Sequence, residues 1–248
     1  MPISSHVAQE RRGSSPRLAR ACALLIAMVF PSIATWLYFV AFAGHPAMRV
    51  VYVVGKVAQF SFPVVWLLLF EKRWPRLFRG RWAGVGSGLA IGALIGGTVL
   101  ALHFGILKGG PLLAGAPLQV HAKLEQIGAA TPLSFLAVAV FYSVVHALLE
   151  EYYWRGFLFG ELRTLLPARP ALVVSSLAFA AHHVIVLGVF FRGAFWMALL
   201  LSAGVACGGA VWARLYDRSG SLLGPWLSHM LVDASLMAIG FDMLGSLR

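Results

Sequence analysis

A chain of 248 residues that is 60% hydrophobic and only 12% charged departs from soluble domains, which are about 45–50% apolar and about 25% charged. The excess cannot be hidden in one soluble core, and it arrives in long unbroken runs; about 20 apolar residues suffice for a helix to cross roughly 30 Å of hydrocarbon. The formal charge of +11 does not signal nucleic acid, because the basic residues stand in short clusters between apolar runs instead of along one exposed face.

In chain order, apolar runs between polar breaks predict seven spans, near 21–43, 50–70, 83–107, 132–150, 170–190, 194–215 and 221–243. The expected fold is therefore all-α, a polytopic transmembrane helical bundle. Arg11, Arg12, Arg17 and Arg20 precede the first run, which ends near Ala41-Phe42-Ala43. The run is too long for a signal-peptide core of about 7–15 residues and reads as a retained span. Gly84, Gly88, Gly92 and Gly96 recur every fourth residue in the third span, and Gly204 and Gly208 repeat the spacing in the sixth; such stripes let helix backbones approach closely. The 108–131 segment, punctuated by Gly and Pro, reads as an irregular connection. The fourth run ends in Glu150 and Glu151 and resumes as Tyr152 to Leu162, so a straight crossing and a bent or re-entrant segment near 150–163 are both open.

Lys and Arg divide unequally between the two sides: 14 lie in the N-terminus, the 71–82 loop, 151–169 and 214–220, against Arg49, Lys108, Lys123, Arg192 and Arg248 opposite. The positive-inside rule places the N-terminus in the cytoplasm, with the chain in a cell (inner or plasma) membrane. Residues 1–20 then form a basic cytoplasmic segment, 21–131 the N-terminal spans and loop, and 132–243 the core that carries the polar motifs. Cys22 and Cys207 each lie within an apolar stretch and offer neither a disulfide framework nor a CxxC metal site.

An ionisable side chain at mid-bilayer costs about 2.5–3.5 kcal/mol on insertion scales, so each one needs a partner, a wet cavity or a function. Those within the spans are Lys56, His103, His146, Glu150, Glu151, Arg155, His182, His183, His229 and Asp233, with Asp242 near an edge. Glu151 and Arg155, four apart, share a helix face and can neutralise one another, while Glu150 is turned about 100° away. His146 lies one turn before Glu150. His229 and Asp233 are again four apart, so the acid can orient the imidazole. His182 and His183 point in different directions, and one of them is expected to face the cavity of Glu150. His103 is expected to make a local hydrogen bond, and Lys56 to snorkel or pair with a carboxylate. Trp74, Trp82, Trp212 and Trp226 read as interfacial anchors.

Three elements now stand in order on apolar runs: Glu150-Glu151-Tyr152-Tyr153-Trp154-Arg155, Phe179-Ala180-Ala181-His182-His183 and His229-Met230-Leu231-Val232-Asp233. They resemble the EExxxR, FxxxH and HxxxN/D motifs of the CPBP family, the CAAX-prenyl-protease and bacteriocin-processing (Abi) intramembrane endopeptidases. The resemblance covers roughly 132–243. It implies that Glu150 activates water, that Glu151 and Arg155 complete its motif, that His183, in register four after Phe179, is the first catalytic histidine, and that His229 and Asp233 form the second half-site.

Two mechanisms fit these groups. In one, Glu150 deprotonates a water held by His183 while His229 and residue 233 stabilise the oxyanion. In the other, Glu150, His183, His229 and Asp233 bind a divalent metal such as zinc, which lowers the pKa of its water. Family members often carry Asn at the position of Asp233, and an ionised Asp can only accept hydrogen bonds, so Asp233 is protonated by desolvation, orients His229 or coordinates a metal, with orientation of His229 slightly favoured. No HExxH motif is present, and no organic cofactor is expected. The implied partners are a membrane-associated protein or peptide substrate and the lipid bilayer, without nucleic acid. Two other readings use the same residues: a transporter or proton-pathway protein, and a non-catalytic scaffold or immunity protein.

Overall fold

The computed structural model describes residues 17–75, 82–191 and 193–245; the readings on Arg11, Arg12, Arg192 and Arg248 lie outside them. Seven helices are long and apolar enough to cross a membrane. They are α1 (Arg17–Ala41), α2 (Met48–Leu69), α3 (Val85–Leu107), α5 (Pro132–Leu162), α6 (Ala168–Phe190), α7 (Phe195–Ser219) and α8 (Leu223–Gly245). Span number and class agree with the hydrophobic pattern, and the edges move by a few residues except in the fourth span, which runs on from 150 to Leu162.

Between α3 and α5 the 108–131 segment is not irregular. It holds a further helix, α4 (Ala116–Ile127), with Pro117 in its first turn and Gly128 in the left-handed conformation at its end (φ +75°). A missing backbone donor is tolerated in the first turn, and glycine accepts positive φ without a Cβ clash. Leu124 on α4 packs with Phe135 and Leu244, which pins the helix to α5 and α8.

Helix α5 neither bends back nor re-enters: it runs as one helix of 31 residues. Two stretches, Phe141–His146 and Tyr152–Phe159, are wound as π-helix, a form that concentrates at functional sites. From Glu150 to Phe159 every side chain but the half-buried Gly156 is buried, and a helix enclosed all round is the centre of its bundle. Around it pack Leu24 of α1, Trp66 of α2, Phe179 of α6 and Trp212 of α7. Tyr153 ties α5 to α1 through its hydroxyl, which donates to the Ala27 carbonyl at 2.7 Å.

The glycine stripe of α3 lies against α8 as its spacing predicts. A Cβ at Gly92 would stand 2.8 Å from Ser228 Cα, and one at Gly88 would enter the Gly224 backbone. In α7 the stripe is displaced. A Cβ at Gly204 would meet open space, whereas one at Gly209 would stand 3.2 Å from Arg155 Nη2 and from Phe179. The close approach in α7 therefore serves the buried arginine of α5.

An ionic belt gathers one end of the bundle. Arg20 meets Glu71 at 2.7 Å and Thr164 at 3.1 Å, Arg73 pairs with Glu161, and Arg163 and Arg214 reach Asp217 at 3.4 and 3.2 Å. The belt joins the ends of α1, α2, α5 and α7 that the charge bias marks as one side.

Candidate active site

Glu150 and Glu151 sit midway along the central helix. With a rise of about 1.5 Å per residue, Glu150 and His182 lie about 18–21 Å from the belt ends of α5 and α6, and His229 about 9 Å from that of α8. All three depths fall within a bilayer.

Glu151 is fully buried and is the hub. Its Oε1 accepts from Arg155 Nη1 at 2.8 Å and from His229 Nδ1 at 2.8 Å. The first pair is the i, i+4 contact expected from sequence; the second crosses from α5 to α8. The Arg155 guanidinium also lies over the Phe179 ring at 4.5 Å and the Trp212 ring at 5.0 Å, so a buried cation has one carboxylate and two π-faces. Phe179, which sets the register of the second motif, is thus in contact with the first.

Glu150 is buried too, at 4% exposure, yet its carboxylate is not hydrogen-bonded by any described residue. Three imidazole Nε2 atoms surround it: His146 at 3.9 Å and His182 at 3.8 Å from Oε1, and His229 at 3.8 Å from Oε2. These separations exceed hydrogen-bonding distance. His146 is therefore near Glu150 without bonding to it, and its Nε2 has no hydrogen-bond partner among the described residues.

The adjacent histidines of α6 divide the work. His182 is buried, stacks on Trp154 with ring centroids 5.7 Å apart and planes 6° from parallel, and turns Nε2 to Glu150. His183, half-buried, donates from Nδ1 to the Phe179 carbonyl at 3.0 Å, which fixes its tautomer and leaves Nε2 as the free ring nitrogen. Its ring centroid is 4.2 Å from that of His182. Both rings thus border the same region, where spacing alone assigned one. On α8, Asp233 Oδ1 lies 3.5 Å from His229 Nε2, so two carboxylates face one ring nitrogen and a third holds the other.

The expected metal set of Glu150, His183, His229 and Asp233 does not converge. Asp233 addresses His229 instead of a shared centre, and among the described residues no three His, Cys, Asp or Glu side chains are disposed to hold a metal ion. The donors present do not fit a metal centre as arranged.

Several other readings change. His103 bonds not locally but to Asp242 of α8, at 3.1 Å. Lys56 has no carboxylate within salt-bridge distance among the described residues; its ammonium lies 5.5 Å from the centroid of Phe60, whose ring meets His146 edge-on at 6.1 Å. Trp74 and Trp82 are exposed as interfacial anchors should be, but Trp212 is buried at 4%, and Trp226 donates to the Val144 carbonyl at 2.9 Å. Sequence reasoning missed the Trp212 contact altogether. Its position four residues after Gly208 on an apolar run gives no cue that it faces His229.

Among known proteins, the family model described as "Type II CAAX prenyl endopeptidase Rce1-like" matches residues 132–235. That stretch begins with α5 and includes all three motifs. No curated protein and no solved structure matches the chain.

Proposed function

We propose that this integral membrane protein, Rce1-like over residues 132–235, is an intramembrane endopeptidase that hydrolyses a peptide bond of a membrane-associated protein or peptide with water activated by Glu150. The observation that carries the reading is the Glu150 carboxylate itself: buried at mid-span, without a hydrogen bond from any described residue, and surrounded by imidazole nitrogens at 3.8–3.9 Å. Glu151 beside it, by contrast, accepts two hydrogen bonds at Oε1, from Arg155 and His229.

In this mechanism His183 Nε2, freed by the Nδ1 bond to Phe179, accepts a hydrogen bond from water, and Glu150 accepts the proton as the water oxygen attacks the carbonyl carbon. His229 in its cationic form donates from Nδ1 to Glu151 and offers Nε2–H to the oxyanion. Asp233, beside Nε2, orients the ring and balances its charge. Glu150 then returns the proton to the departing amide nitrogen as the C–N bond breaks, leaving a carboxylic acid and an amine. Arg155 keeps Glu151 in place, and does not touch the substrate. No step passes through a metal. The belt of Arg20, Arg73 and Arg163 marks the cytoplasmic face in this reading, in keeping with the bias of basic residues.

The test uses protein purified in mild detergent and a library of membrane peptides, with products read by mass spectrometry and bound metal measured on the same samples. Wild-type protein cleaves, with metal well below one equivalent, and Glu150→Ala and His183→Ala abolish cleavage while remaining folded. Wild-type turnover by both variants contradicts the assignment.

A further inference from the structure

Trp212 of α7 belongs to none of the three motifs, yet it is the largest side chain in contact with His229. Its indole lies on the imidazole with centroids 4.0 Å apart and planes 18° from parallel. Its Nε1–H donates to Ser228 Oγ at 3.0 Å, the residue directly before His229 and fully buried. The opposite side of Ser228 is closed by α3, where a Cβ at Gly92 would stand 2.8 Å from the Ser228 Cα. The Arg155 guanidinium lies 5.0 Å from the Trp212 ring centroid, so the indole touches both the cation of the first motif and the imidazole of the third.

From this geometry we propose that Trp212 is a positioning residue. It clamps the His229 ring so that Nδ1 stays on Glu151 while Nε2 faces Glu150 and Asp233. A hydrogen bond to Glu151 fixes one nitrogen but leaves the ring free to swing about that bond, and Asp233 at 3.5 Å is too distant to fix the other. The stacked indole blocks the swing. The bond to Ser228 sets the indole against the backbone of the same helix turn, so clamp and imidazole move together. The role in catalysis rests on the protease reading above; the clamp itself does not.

The experiment separates the two. Full-length protein in lipid nanodiscs, labelled with nitrogen-15 histidine, reports ring protonation at His229, whose signals are identified by their loss in His229→Gln. In wild-type protein His229 gives one species, protonated at both Nδ1 and Nε2, across the neutral range. Trp212→Leu, which removes both stack and hydrogen bond, gives an averaged signal with both nitrogens partly protonated. Trp212→Phe keeps an aromatic face and restores most of the wild-type signal, and Ser228→Ala, which removes only the hydrogen bond, falls between. Unchanged His229 signals in Trp212→Leu and Ser228→Ala overturn the proposal whether or not any peptide is cleaved; should Trp212→Leu fail to fold, Ser228→Ala and Trp212→Phe decide it. On a peptide from the library that wild-type protein cleaves, kcat falls about tenfold or more in Trp212→Leu, with KM held and partial rescue by Trp212→Phe. Absence of cleavage by wild-type protein counts against the protease reading and leaves the spectroscopic result standing.

Discussion

Two clusters of acid and imidazole lie between these helices, and they are built differently. Away from the ionic belt, His103 of α3 meets Asp242 of α8 at 3.1 Å, and Lys108 closes on the second carboxylate oxygen. Every charge there has a direct partner, and the cluster ties α3 to α8. Around Glu150 the polar atoms are as numerous, but the central carboxylate is held off at 3.8–3.9 Å by three imidazoles. Buried polar groups are nearly always bonded, so a central carboxylate with no direct hydrogen bond among the described residues sets this cluster apart from the first. A cavity of about 540 Å³ beside Phe104, Lys108, Phe241 and Asp242 opens at the closed cluster and lies about 20 Å along α8 from His229.

The sharpest way to break this comparison is to neutralise its open carboxylate. Glu150→Gln lowers peptide turnover by about 10²–10⁴-fold, with the thermal midpoint in detergent held near wild type, because the side chain has no bond to lose. A large drop in that midpoint would show Glu150 to be structural. The reverse holds for the closed hub: Arg155→Met strands the Glu151 charge and costs about 3–5 kcal/mol, lowering Tm by on the order of 10 °C in a thermal melt. The two histidines of α6 sharpen the picture. His182→Ala, which removes one imidazole facing Glu150, reduces turnover by about tenfold, less than His183→Ala; an inactive His182→Ala beside an active His183→Ala would exchange their roles. Smallest is Asp242→Asn, which weakens charge-assisted bonds worth about 1–2 kcal/mol and leaves turnover unchanged. A loss of cleavage there would make the far cluster part of the site.

How far the sequence announces all this differs by residue. Seven spans follow from hydrophobic length alone, since hydrocarbon thickness admits few solutions. The Glu151–Arg155 pair follows from the i, i+4 geometry, and the stripe from Gly84 to Gly96 from the need of α3 and α8 to touch. Helix α4 was hidden by its Gly and Pro residues, although Pro117 at its start and Gly128 at its end are the punctuation a short helix uses. The π-winding of α5, the bond from His103 to Asp242 and the stack of Trp212 on His229 are set by tertiary packing, which local periodicity does not carry. The same is true of His182: a register counted from Phe179 selects His183, but it is His182 whose Nε2 comes within 3.8 Å of Glu150.

The most direct test of the central claim is cleavage of a membrane peptide in proteoliposomes made with oxygen-18 water, comparing wild type with Glu150→Gln at equal reconstituted amounts. The account predicts a cut peptide carrying one oxygen-18 atom in its new carboxyl group with wild-type protein and none with the variant. Equal formation of that product by both proteins would contradict Glu150 as the group that activates water.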